Sequence, residues 1–111
     1  MEKTNEKEKE FRSGDSGPKY LVRGPYWEGG IILFKPGQKL GAHYHREVEE
    51  TFYFLSGSGK IIINNVEYNI QSGDVYKIAP TEIHDIINDT CDNLRGIFIK
   101  CPYKPDDKIN V

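Results

Sequence analysis

From Trp27 onward, apolar and polar positions come in short runs, and each run is closed by turn chemistry before a helical period can build up. Gly30 to Lys35 is apolar and is turned by Pro36-Gly37, after which Leu40 to His45 resumes an extended pattern. Glu50 to Leu55 follows and stops at Gly57-Ser58-Gly59. Lys60 to Ile63 and Val66 to Ile70 flank Asn64-Asn65, a two-residue hairpin signal suited to positive φ. Beyond Ser72-Gly73-Asp74, strands are predicted near 75–79, 83–88 and 94–100, and Tyr20-Leu21-Val22 predicts one more between Gly17 and Gly24. No stretch holds a 3.6-residue amphipathic period for three turns, so helix should be nearly absent. Many short strands with regular turns predict an all-β fold, an antiparallel sandwich or barrel.

The run at 52–55 is apolar on both faces, with Phe52 and Phe54 on one side and Tyr53 and Leu55 on the other. A sheet with one wet face does not need that, so the second face is expected to be covered, by default in a homodimer.

A chain of 111 residues is one domain. Its charged start, EKTNEKEKE, cannot bury enough surface to offset ordering entropy. The expected organisation is therefore a disordered arm over 1–11, a barrel domain over 12–103 and a polar tail over 104–111. A net charge of -2 gives no general attraction to nucleic acid or anionic membrane. With no apolar run fit for a signal peptide or a bilayer span, the expected location is cytoplasmic. Cys91 and Cys101 have no metal or redox spacing and read as free thiols in a reducing compartment.

The chemistry concentrates elsewhere. All three histidines, His43, His45 and His84, join Glu50 as a candidate donor set for a first-row divalent ion. In a strand, His43 and His45 face one way about 7 Å apart, near enough to lean onto one ion. Glu50, Phe52 and Phe54 share a face of the next strand, and His84, Ile86 and Asn88 share a face of a later one. If these faces look into one barrel, the four donors converge. Neither a P-loop nor a dinucleotide fingerprint is present, and no serine nucleophile has a free histidine to activate it. Arg23, Lys35, Lys77 and Arg95 are candidates to reach a carboxylate or phosphate on a ligand.

The order and spacing of these residues resemble the cupin superfamily. Its first motif, a glycine, five residues, H-x-H, four residues, a glutamate, six residues and a glycine, is met by Gly37, His43, His45, Glu50 and Gly57. That count, together with the face shared with Phe52, favours Glu50 over Glu49. In the second motif Gly73, His84 and Asn88 fit, whereas Ala79 and Thr81 stand where the family has proline and glycine. The departure touches the turn and leaves the donor in place.

The resemblance implies a double-stranded β-helix, or jelly-roll barrel, of antiparallel strands. It also implies a divalent transition metal (Fe, Mn, Ni, Co or Zn) held by His43, His45, Glu50 and His84, with a position open to a ligand. Phe52, Phe54, Tyr76, Ile86 and Asn88 would line the pocket or support the ligating histidines. The partner would be a small oxygen-rich metabolite such as a carboxylate or sugar. Such a site would serve an isomerase, dioxygenase, decarboxylase or lyase, with Tyr76 or a water moving protons. The alternative is a cupin that binds or senses a small molecule without catalysis, with or without the metal.

Overall fold

The computed structural model describes residues 1–111. Ten strands follow one another: β1 (Gly17–Arg23), β2 (Glu28–Phe34), β3 (His43–Tyr44), β4 (Glu49–Ser56), β5 (Gly59–Ile63), β6 (Val66–Ile70), β7 (Val75–Ile78), β8 (His84–Ile87), β9 (Leu94–Cys101) and β10 (Ile109–Asn110). They form two five-stranded sheets, ordered β1-β2-β9-β4-β7 and β10-β3-β8-β5-β6. All strand pairs are antiparallel. After β2, successive strands alternate between the sheets except at the β5–β6 hairpin, which stays within the second sheet, and this is the jelly-roll, double-stranded β-helix arrangement. No helix is long and apolar enough to cross a membrane.

Strand parity explains the interior. Ile32, Phe34, Phe52, Phe54, Leu94 and Phe98 from the first sheet meet Ile61, Ile70 and Ile86 from the second as one buried core. At Asn64 and Asn65 the β5–β6 hairpin turns with φ of 49° and 67°, the left-handed pair that matches the twist of the flanking strands.

Across the first sheet, the inward positions form rows. One row is Glu28, Lys100, Glu50 and Ile78, and the next is Gly30, Phe98, Phe52 and Tyr76. The boundary between charged and apolar rows is where the pocket floor gives way to the core.

Two segments differ from expectation. Residues 104–111, predicted as a tail, return to the second sheet: Ile109 pairs with Tyr44 and Asn110 with His43. A strand of two residues carries no periodicity, so its sequence is silent about it. Residues 1–11, predicted as disordered, contain a single 3₁₀ turn at Glu6–Glu8, capped by Asn5. Glu6 pairs with Arg95 at 2.8 Å, and its carbonyl accepts from Lys19 Nζ at 3.0 Å. The charged run thus finds long-range partners that its composition does not reveal.

Candidate metal centre

His43 lies in β3 directly across from His84 in β8, His45 follows at the end of β3, and Glu50 comes from β4 in the other sheet. The two sheets therefore contribute opposite walls of one cluster. All four side chains are buried, and their ligating atoms lie within 4.8 Å of one another.

Each imidazole is oriented by a backbone carbonyl. His43 Nδ1 donates to Gly41 O at 2.8 Å, His84 Nδ1 to Glu82 O at 2.9 Å, and His45 Nδ1 to Asp107 O. With the proton on Nδ1, the lone pair of every Nε2 points inward. Glu50 Oε1 lies 3.2 Å from Nε2 of His45, 3.2 Å from that of His84 and 4.0 Å from that of His43. Acceptors facing acceptors at these distances require positive charge among them, from a proton or from a cation.

Burial pushes His43 down to about 4, so this ring is neutral near pH 7. Burial works the other way on Glu50, but hydrogen bonding from His45 and His84, which needs the positive charge of a proton on Nε2, outweighs it and holds the carboxyl down at about 2. With a cation in place of those protons, three imidazole nitrogens and one ionised oxygen form a donor set that can hold a divalent ion.

The remaining predicted residues separate. Phe52 stands beside the cluster, its ring 6.2 Å from that of His84, and Phe54 stacks on it one step deeper. Ile86 is core. Asn88 does not reach the histidines: its Nδ2 donates to Phe34 O and Asp92 O, and its Oδ1 accepts from Thr90. Tyr76 packs on Phe54 and donates to Asn69 O at 2.8 Å, away from the donors. Orientation of the histidines, expected from those two side chains, falls to carbonyls, which any residue type supplies.

The four basic residues singled out in sequence are all engaged elsewhere. Arg23 meets Glu28 at 3.2 Å, Lys35 meets Asp15 at 2.7 Å, Lys77 meets Glu49 at 3.6 Å and Arg95 meets Glu6. The cavity that reaches His43 and Glu50 is walled by Tyr20, Phe52 and Phe98 and rimmed by Arg12, Lys100 and Lys108. Lys100 was within reach of sequence reasoning, because it shares the inward parity of Phe98 in β9. Arg12 and Lys108 lie outside the barrel strands, where parity gives no signal.

Asp107 is a further residue that the sequence did not mark. Its carboxylate accepts from the N–H groups of Arg46, Glu47 and Val48 at 2.8, 2.8 and 3.1 Å. Burial raises its pKa, but these three donors hold it below the ordinary aspartate value. The loop between His45 and Glu50 is thereby tied to the C-terminal segment, and Lys104 adds an ion pair to Glu47.

A family model described as a cupin domain matches residues 30–100, which include all four donors. An uncharacterized protein of Methanocaldococcus jannaschii is 32% identical over 69 residues, a match covering 62% of this chain and 54% of that protein. The match thus spans about half the length of that relative. Among solved structures, a conserved protein with a double-stranded β-helix domain from Klebsiella pneumoniae superposes with a TM-score of 0.84 at 16% identity, covering 100% of this chain and 97% of that one. A protein from Acidithiobacillus ferrooxidans described as a sugar phosphate isomerase superposes with a TM-score of 0.66 at 29% identity, covering 69% of this chain and 51% of that one.

Proposed function

Because the chain belongs to the cupin domain family, we propose that it holds a first-row divalent metal through His43, His45, Glu50 and His84 and uses it on a small polar metabolite that enters the barrel. The observation that carries this reading is the set of three Nδ1–H groups spent on carbonyls, which leaves three Nε2 lone pairs and a carboxylate aimed at one point. When bound, the ion supplies Lewis acidity toward an oxygen of the ligand. The protein's own groups do the rest. Phe52 and Phe98 exclude water on one side, and Tyr20, whose hydroxyl accepts from Lys100 Nζ at 2.8 Å, offers a polar contact beside the opening. Iron, manganese, nickel, cobalt and zinc all suit three nitrogens and one oxygen.

Cys91 and Cys101 are free and exposed, which fits a reducing cytoplasm. Tyr53, Val75 and Ile99 stay exposed on the outer face of the first sheet, which fits a homodimer.

Elemental analysis of protein purified without added metal, and again after refilling with each candidate ion, tests the centre. Close to one ion per chain is expected, falling to a small fraction in His45→Ala or His84→Ala. Full occupancy in either variant, or negligible uptake by the wild type, would sink the assignment.

A further inference from the structure

The rim of the metal-site cavity carries three cations whose only hydrogen bond is the one from Lys100 to Tyr20, and no ion pair engages any of them. Arg12 arrives from the segment before β1, Lys100 from the inward face of β9, and Lys108 from the C-terminal segment just past Asp107. Elsewhere on the protein, Arg23, Lys35, Lys77, Arg95 and Lys104 all sit within ion-pair distance of a carboxylate. Two carboxylates flank Lys100 in its row. Glu28 is taken by Arg23, and Glu50 faces the histidines. Counting Arg12, Lys100 and Lys108 against Glu50 leaves the opening positive before any metal is added.

These charges also act on one another. Lys108 is held below the ordinary lysine value by partial desolvation at the opening and then by repulsion from Arg12 and Lys100. Like charges gathered at one opening cost free energy that a bound anion removes. The enclosed space is narrow, about 20 Å³, or room for roughly one water. Only about one oxygen atom of a ligand therefore reaches in beside the histidines, while the remainder of the ligand stays at the rim among the cations.

We propose that the ligand of this pocket is a small oxyanion with at least two negative charges, one end reaching the His43–Glu50 floor and the other held by Arg12, Lys100 and Lys108. Arg12 offers a planar fork that pairs with two oxygens at once, and the lysines supply point charges. A dicarboxylate and a phosphate ester share this chemistry. The inference deepens the metal-site reading by naming the class of ligand, and it rests on that reading for the position of the inner end.

Calorimetric titration of the cobalt-loaded chain with malonate and with glycerol 3-phosphate, against the neutral malonamide and glycerol, tests it. Arg12 and Lys108 are exposed, so the double variant Arg12→Gln/Lys108→Gln changes rim charge without touching the core. The variant Lys35→Gln serves as a control, because Lys35 pairs with Asp15 away from the cavity. At least one dianion should bind while its neutral counterpart does not, and the tighter of the two identifies the source. The double variant should lose roughly tenfold in affinity, and the control should match the wild type. Binding of neither dianion above its neutral counterpart overturns the proposal, as does a loss under about threefold in the double variant. Cobalt uptake is read separately from its visible absorption. A wild type that takes up no cobalt overturns the metal reading alone, and the anion titrations on the metal-free chain then decide the rim by the same criterion.

Discussion

Thr81 has a φ of 74°, a left-handed conformation that is a genuine outlier for a β-branched residue. It stands where the second cupin motif has glycine, and its N–H donates to His45 O at 2.6 Å, so the strained residue links two parts of the site. The turn is tightened further by Glu82, whose carboxylate accepts from Ala79 N–H at 2.8 Å. The substitutions at Ala79 and Thr81 thus leave the delivery of His84 intact and shift their cost into backbone strain. Thr81→Gly should raise unfolding free energy by about 1 kcal/mol, the relief of a strained φ less the extra unfolded-chain entropy of glycine. Chemical denaturation of the metal-free chain checks this, and a loss of stability would show that the Thr81 side chain contributes more than its backbone costs. At this scale the donors were legible, because H-x-H and Glu50 follow from spacing and parity. The carbonyls of Gly41, Glu82 and Asp107 that set the tautomers were not, since every residue carries one.

The C-terminal segment is the element that sequence reasoning placed outside the barrel and the structure places against the site. Its anchor is Asp107, which caps three N–H groups of the loop 46–48 and supplies the carbonyl for His45 Nδ1. Asp107→Asn keeps the carbonyl and the size but removes the charge, and turns one oxygen into a donor facing donors. It should cost about 1–2 kcal/mol at neutral pH, an amount already reduced for a half-exposed position. The pH dependence follows from the depressed pKa of Asp107 in the folded state. The stabilisation is fully present above the unfolded value of about 3.9 and is lost as pH falls through the lower folded value. The gap between wild type and Asp107→Asn should therefore be flat above about pH 5 and shrink below about pH 4. Denaturation midpoints across that range provide the measurement, and a gap that widens on acidification would assign the effect to another group. The strands before this segment were readable from alternation and turn residues. β10 was not, because two residues cannot show a period and its register is set by β3 rather than by its own pattern.

At the scale of the molecule, the first sheet has one face turned to the core and the His-Glu donor cluster and the other left apolar in water. Phe52 and Tyr53 are neighbours in β4, yet Phe52 is 1% exposed beside His84 and Tyr53 is 44% exposed outside. Tyr53 sits opposite Ile97 and Val75, and Ile97 opposite Ile31, so the outer residues form a row across β7, β4, β9 and β2. Gly29 and Gly30 leave a trough beside that row, lined by Leu21, Trp27 and Ile99. A continuous apolar surface of this kind on a β-sheet is costly in water, and pairing it with the same face of a second copy removes the cost for both. The charges at the rim lie on the interior side, so the proposed self-association through the outer face would leave the opening accessible. Because the two faces are separated by strand parity, disrupting one should spare the other. Tyr53→Lys/Ile99→Lys should convert a sedimenting dimer to a monomer at tens of micromolar, a range that a loss of about 2–4 kcal/mol in association reaches for an ordinary homodimer. The same variant should still load one divalent ion per chain. A wild type that already sediments as a monomer would remove the dimer from the account, and a monomeric variant that fails to load metal would show that the outer face supports the inner one.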